Sequence, residues 1–279
     1  MDYIVYSEIE KMVSAQCSSA GSEGSLPAFP LLHTWNLPRL VHGFITREGG
    51  VSQGLYRSFN LAEGVGDDPN AVNANWARWR AAYPQMRLAR LQQVHGSRVH
   101  PIGSAYNGER RIGDGMVTSV PGIVLAIFTA DCVPVLMIDA EAGIAGALHA
   151  GWRGTLAGIA SEGVSAMAAM GARLGHIRVA LGPSIGSCCF EVDTDLAERF
   201  IAHIPTAVAC CRLGRPGKKH LDLRGIVRLQ LQEVGVAASS IVDIGPCTRC
   251  ESARFFSRRA AGGVATGLQM SFIGFEPEH

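Results

Sequence analysis

Three apolar runs dominate the middle of the chain, at residues 123–128, 133–138 and 144–148. Each is short and nearly unbroken, with glycine or aspartate close to its ends. Such runs predict adjacent strands buried on both faces. Further strands are expected at residues 41–46, 88–94, 99–100, 115–118, 177–181, 241–244 and 269–275. A helix should open at Asp67-Asp68-Pro69, with proline in the first turn and acidic residues before it. It continues over residues 71–83, with Trp76 and Trp79 at i,i+3. A second helix is expected from Gly151-Trp152-Arg153-Gly154-Thr155 to about Met170, and others at residues 193–200 and 223–233, the last ended by Gly235. Strands and helices alternate imperfectly, and several strands follow one another directly. This predicts an α+β (mixed α/β) fold with mixed sheets and outer helices rather than a doubly wound parallel sheet.

The chain has 279 residues and no composition shift that divides it, so a single domain is expected over residues 27–279. Residues 13–25 are mostly small and polar, and a flexible lead is expected over residues 1–26. The formal net charge is +1, which offers no electrostatic footprint for nucleic acid or an anionic membrane. The first residues show no basic stretch followed by an apolar run, and the most apolar segment is interrupted by Asp131 and Pro134. A cytoplasmic protein with no membrane partner is expected. In that reducing setting the eight cysteines stay free thiols. Cys188-Cys189 is expected to pack at a turn, and Cys247-Thr248-Arg249-Cys250 is a lone CxxC, a weak signal for metal or redox chemistry.

The candidate chemistry lies in Gln93-Val94-His95-Gly96, Ala130-Asp131-Cys132-Val133-Pro134 and His149-Ala150-Gly151-Trp152-Arg153-Gly154. His95, Cys132 and His149 form a borderline-soft donor set that suits zinc, and three donors leave a coordination position open for catalysis. Each has an ordinary structural alternative, since a lone histidine or buried cysteine is common in a core. Asp131 is a charge within an apolar stretch and needs a partner or a task. The glycine-flanked helix start after His149, with Arg153, can hold a phosphate or carboxylate. Cys132 as nucleophile with His149 or His95 as base is the competing chemistry, that of a zinc-free cysteine hydrolase.

Ordered blocks along residues 41–273 add a resemblance. They include His42-Gly-Phe-Ile-Thr-Arg47, Ser58-Phe-Asn60, Gln93-Val-His95-Gly, Asp114-Gly-Met-Val-Thr118, Thr129-Ala-Asp-Cys-Val-Pro, His149-Ala-Gly-Trp-Arg-Gly, Gly182-Pro-Ser-Ile-Gly186, Cys188-Cys-Phe-Glu-Val192 and Phe255-Phe-Ser257. Together they resemble the laccase-domain family, also described as multicopper polyphenol oxidase-like, which includes peptidoglycan editing factors and purine nucleoside phosphorylases. The resemblance implies a four-layer α/β/β/α arrangement with two central sheets. It implies one zinc ion held by His95, Cys132 and His149, with copper disfavoured because the ligands of a blue-copper plus trinuclear centre are missing. It also implies phosphorolysis of adenosine, inosine and 5′-methylthioadenosine, with adenosine deamination, so that purine nucleoside and phosphate are the expected partners.

On that basis Arg47 and Arg153 are expected to bind phosphate, Asn60 to bond ribose or base, and Trp152 to wall the pocket or stack on the base. Asp131 is expected to shuttle a proton or to orient a zinc histidine. Arg47 paired with an acid and Asp114 as a turn residue are the plain alternatives. A copper-dependent phenol oxidase and a non-catalytic peptidoglycan-editing factor are the other functional classes. The C-terminal block departs from the family pattern: Ser257 is followed by Arg258-Arg259-Ala260, and Thr266-Gly267 by Leu268 where arginine is usual. Nothing in the sequence indicates the oligomeric state.

Overall fold

The computed structural model describes residues 30–277, so the expected lead over residues 1–26 lies outside the described residues. In chain order the strands are β1 (Leu31–Leu32), β2 (Leu40–Ile45), β3 (Arg87–Ala89), β4 (Val99–Pro101), β5 (Gly115–Thr118), β6 (Ile123–Thr129), β7 (Val133–Asp139), β8 (Ile144–Ala150), β9 (Arg178–Leu181), β10 (Glu191–Asp193), β11 (Cys211–Leu213), β12 (Lys218–Leu221), β13 (Ile241–Asp243) and β14 (Gln269–Phe275). The α-helices are α1 (Pro69–Ala82), α2 (Trp152–Leu156), α3 (Ile159–Ala169), α4 (Thr194–His203) and α5 (Leu223–Glu233).

Two mixed sheets form the centre. One runs β1-β2-β14-β6-β3 and the other β13-β9-β7-β8-β5-β4. The pairs β3–β6, β4–β5 and β9–β13 are parallel, and the other pairs in these sheets are antiparallel. The period-2 alternation of side chains builds the layers. Leu125, Ile127, Phe44 and Ile273 of the first sheet meet Leu136, Ile138, Ala145 and Ala147 of the second in a core between them. The opposite face of the first sheet, with Val41, Val124, Ala126 and Phe272, packs on Trp76 and Trp79 of α1. The opposite face of the second sheet, with Val135, Met137 and Leu148, packs on α3 and α5 through Val164, Met167, Ile226 and Leu231. The result is the expected α/β/β/α stack.

Three expectations need correction. β6 and β7 are not neighbours in one sheet. The chain crosses from the first sheet to the second over Ala130-Asp131-Cys132, with Asp131 in the left-handed region at φ 88°. The helix after His149 is not continuous to Met170, because Gly158 at φ 83° divides it into the five-residue α2 and the longer α3. The strand expected over residues 88–94 ends at Ala89; beyond it Gln92 makes only an isolated bridge to Ile112. A small third sheet, β10-β12-β11, escaped the sequence pattern, since its central strand Lys-Lys-His-Leu carries no apolar alternation.

Candidate active site

The three candidate donors converge at one end of the stacked sheets. His149 belongs to β8 and lies on the same face as Ala145 and Ala147, toward the other sheet. Cys132 sits in the crossover between the sheets, just before β7. His95 follows β3, and its loop is tied to the end of β6 by Gln93. The Gln93 side chain donates Nε2 to the Phe128 carbonyl and accepts the Phe128 N–H at Oε1, both at 2.8 Å. The donor atoms of His95, Cys132 and His149 lie within 4.8 Å of one another. The two imidazole rings are 4.7 Å apart, edge to face.

Asp114, considered only a possible turn residue from the sequence, organises this cluster. It is fully buried, and its Oδ1 accepts from His149 Nδ1 at 2.8 Å. The same carboxylate accepts the N–H groups of His95 at 2.9 Å, Gly96 at 2.7 Å and Val94 at 3.2 Å. These bonds hold the His95 loop in place, with His95 itself at φ 62°. Burial pushes the Asp114 carboxyl upward, but the bonds from His149 and the backbone prevail and hold it below the usual carboxylate range. With Nδ1 engaged by Asp114, His149 presents Nε2 to the cluster.

Burial likewise favours a neutral Cys132 thiol, yet the His149 and His95 imidazoles outweigh it and bring the thiol down to about 6. Burial works against charge on His149, but the Cys132 thiolate and Asp114 raise it to about 9. Both shifts favour a thiolate beside an imidazolium, a pair whose proton a metal ion would displace on binding. Gly151 makes room for it: a Cβ there would stand 2.8 Å from His95 Cδ2 and 3.1 Å from Cys132 Sγ.

The cluster forms part of the wall of a cavity of ≈ 1030 Å³. Leu61, Leu91, Phe128, Trp152, Phe190 and Leu268 give it apolar surface, and Arg90, Arg110, Arg258 and Arg259 give it positive charge. Thr129 also lines it, with a buried hydroxyl that has no hydrogen-bond partner among the described residues. Asp131 lines the cavity too, but both its oxygens are engaged. Oδ1 accepts from Thr248 Oγ1 and Oδ2 from the Arg259 N–H, each at 2.7 Å. Asp131 thus braces the C-terminal loops from within the cavity wall, and the carboxylate that bonds a histidine of the cluster is Asp114.

Of the residues expected to bind substrate, only Trp152 lines this cavity. Arg47 lies outside the lining. Its guanidinium stacks on Phe256 at 4.6 Å and donates to the carbonyls of Arg57 at 2.5 Å and Ser252 at 2.7 Å. Burial lowers the Arg47 pKa. Asn60 is fully buried, and its amide bonds Ala62, Asp67 and Leu268. Arg153 lies over the Trp152 ring at 4.2 Å and lines a second, smaller hollow with Arg199. The α2 start expected to serve as an anion site belongs to a helix of five residues, with little dipole to offer. The cavity-lining arginines 90 and 110 went unremarked in the sequence, where nothing marks an isolated arginine as cavity-facing.

The fold and the cluster define a mixed α/β protein with a three-donor metal-type site at the shared end of two stacked sheets. Residues 41–276 match the family described as multi-copper polyphenol oxidoreductase laccase, and the chain belongs to that family. It is 41% identical over 251 residues to a purine nucleoside phosphorylase from Deinococcus radiodurans, covering 89% of this chain and 94% of the relative. It is 38% identical over 237 residues to adenosine deaminase RL5 from an unknown prokaryotic organism, covering 80% of this chain and 89% of that one. The crystal structure of YlmD from Geobacillus stearothermophilus superposes with a TM-score of 0.80 at 36% identity, covering 86% of this chain and 93% of that chain.

Proposed function

We propose that this protein is a zinc-dependent purine nucleoside phosphorylase that also deaminates adenosine. The observation that carries the reading is the His95–Cys132–His149 cluster, oriented by Asp114, in the wall of an arginine-rimmed cavity. The similarity to a phosphorylase over 89% of the chain and to a deaminase over 80% supplies the substrate class. Two imidazoles and a thiolate suit zinc, which supplies Lewis acidity at this position when bound.

In phosphorolysis the C1′–N9 bond breaks with its electron pair going to the purine, a phosphate oxygen bonds C1′, and the departing base takes up a proton. The protein must hold a dianion beside a sugar that gains positive charge. Arg258 is the best-placed guanidinium for the phosphate. It lines the cavity, and among the described residues only its Nε is engaged, by the Gly263 carbonyl at 3.0 Å. Arg90 and Arg110 share Glu63 and are partly neutralised, while Arg259 spends Nη1 on the carbonyls of Cys189 and Glu191. Trp152, Phe128 and Leu268 offer apolar surface to the base, and the Thr129 hydroxyl offers a bond to the sugar.

The Cys132–His149–Asp114 relay also suits a nucleophilic thiol. A dyad has no need of His95, however, and the presence of a second imidazole favours metal ligation. No helix of the described residues is long and apolar enough to cross a membrane. The test is product analysis of purified protein with adenosine, with and without phosphate, alongside metal analysis. Adenine plus ribose 1-phosphate is expected with phosphate and inosine without it, with zinc present. Full activity after complete metal removal would instead establish the thiol mechanism, and the absence of any product a binding role.

A further inference from the structure

Cys188-Cys189 and the lone CxxC at Cys247 and Cys250 are not separate features: the fold brings them together. Their four sulfurs lie within 4.8 Å of one another, with Cys250 Sγ 3.4 Å from Cys189 Sγ and 3.6 Å from Cys188 Sγ. None of the four lines the nucleoside cavity. We propose that Cys188, Cys189, Cys247 and Cys250 form a second metal site, a structural zinc centre with four thiolate ligands.

The local geometry carries this. Two loops present the cysteines, one after β9 and one after β13, joined by a bridge between Ser184 and Cys247 and by the Thr248 N–H on the Ser184 carbonyl at 3.1 Å. Gly186 permits the approach: a Cβ there would stand 3.2 Å from both Cys188 Sγ and Cys247 Cβ. Arg249 Nη1 reaches Cys189 Sγ at 3.3 Å and offsets negative charge. Tetrahedral zinc with Zn–S bonds of ~2.3 Å sets its sulfurs ~3.8 Å apart, which the cluster approximates. Cys250 is nearly equidistant from two other sulfurs, as an ion at the centre requires and a dedicated disulfide does not.

The site sits behind the cavity wall. Phe190 follows one cysteine pair and lines the cavity. Thr248, between the other pair, bonds Asp131, and Arg259 of the same loop bonds Asp131 and the Cys189 carbonyl. A zinc ion here positions the Arg258–Arg259 segment without touching substrate.

The test uses full-length protein purified with zinc. Cys132→Ser removes a donor of the other cluster, so X-ray absorption at the zinc edge then reports the second site by itself. One zinc per chain with four sulfur neighbours is expected. Cys247→Ser/Cys250→Ser should lose one zinc per chain relative to wild type and melt at lower temperature. Should that variant fail to fold, wild-type protein alkylated under native conditions supplies the answer: these four cysteines should react only after zinc is stripped. Cys132→Ser protein with no zinc, or a disulfide within the cluster by non-reducing mass spectrometry, would overturn the proposal. The zinc count is independent of turnover, so absence of nucleoside activity would count against the proposed function and leave the metal site standing.

Discussion

Asp114 makes four hydrogen bonds with one carboxylate, one to His149 and three to the loop of His95, so it fixes two of the three donors at once. Asp114→Asn keeps the shape but removes the charge and one acceptor. Zinc affinity is expected to fall by roughly 10- to 100-fold, the usual effect of losing a partner behind a ligand histidine, as measured by chelator competition. Cys132 gives a second residue-scale test. In zinc-free protein the neighbouring imidazoles place its thiol near 6, so alkylation by iodoacetamide should rise with pH and level off above that value. A midpoint near the ordinary thiol value of ~8.5 would contradict the thiolate–imidazolium pair. His95, Cys132 and His149 were legible in the sequence because metal-binding residue types stood at the ends of apolar runs. Asp114 was not, since its role depends on His149, thirty-five positions away. Arg47 and Asn60 bond loop backbone and lie outside the cavity lining, a placement the sequence did not reveal because polar side chains in a glycine-rich segment serve backbone as readily as a ligand.

Among the elements, α5 matches its expected span because both ends are signalled locally. Asp222 caps its start by accepting the Gly225 N–H, and Gly235 at φ 95° ends it, with its own N–H on the Gln232 carbonyl and the Val236 N–H on Leu231. Long strands were legible from their apolar runs, but not which sheet each joins, because β6 and β7 read alike while Asp131 turns the chain between them. β2 carries a pH-sensitive joint. His42 is buried, and its Nε2 accepts the N–H groups of Thr34 and Trp35, each at 3.2 Å. Burial, with the nearby His33 adding to it, lowers His42 to about 4. A histidine lowered in the folded state contributes stability above its unfolded value of ~6.5 and loses it as pH falls toward 4, a change of about 3 kcal/mol at most. Urea unfolding of wild type against His42→Gln across that range should show the wild type losing more. Carboxylates that titrate in both proteins cancel in the difference, and parallel profiles would remove the assignment.

Across the whole molecule, the cavity lies where the two sheets end together, and its charge comes from loops distant in sequence: Arg90, Arg110 and the Arg258–Arg259 segment. Mixed sheets with outer helices were legible because buried strands follow from apolar runs, and the four layers were implied by the family resemblance; Arg90 and Arg110 were not legible, because the rim is assembled from irregular loops. The two arginines that the sequence and the structure nominate for phosphate can be set against each other. Arg47 is held by two carbonyls and the Phe256 ring, so Arg47→Ala should lower the melting temperature and leave the KM for phosphate nearly unchanged. Arg258 faces the cavity with most of its donors uncommitted, so Arg258→Ala should raise the KM for phosphate by 10-fold or more, as expected for loss of a charge-assisted contact of about 1.5–3 kcal/mol. The KM for nucleoside should change far less, and Arg258→Lys should recover part of the loss by restoring the charge without the fork. Steady-state kinetics with each substrate varied in turn separates the two. A phosphate KM that responds to Arg47 and not to Arg258 would move the anion site off the cavity rim and back to the glycine turn beside β2.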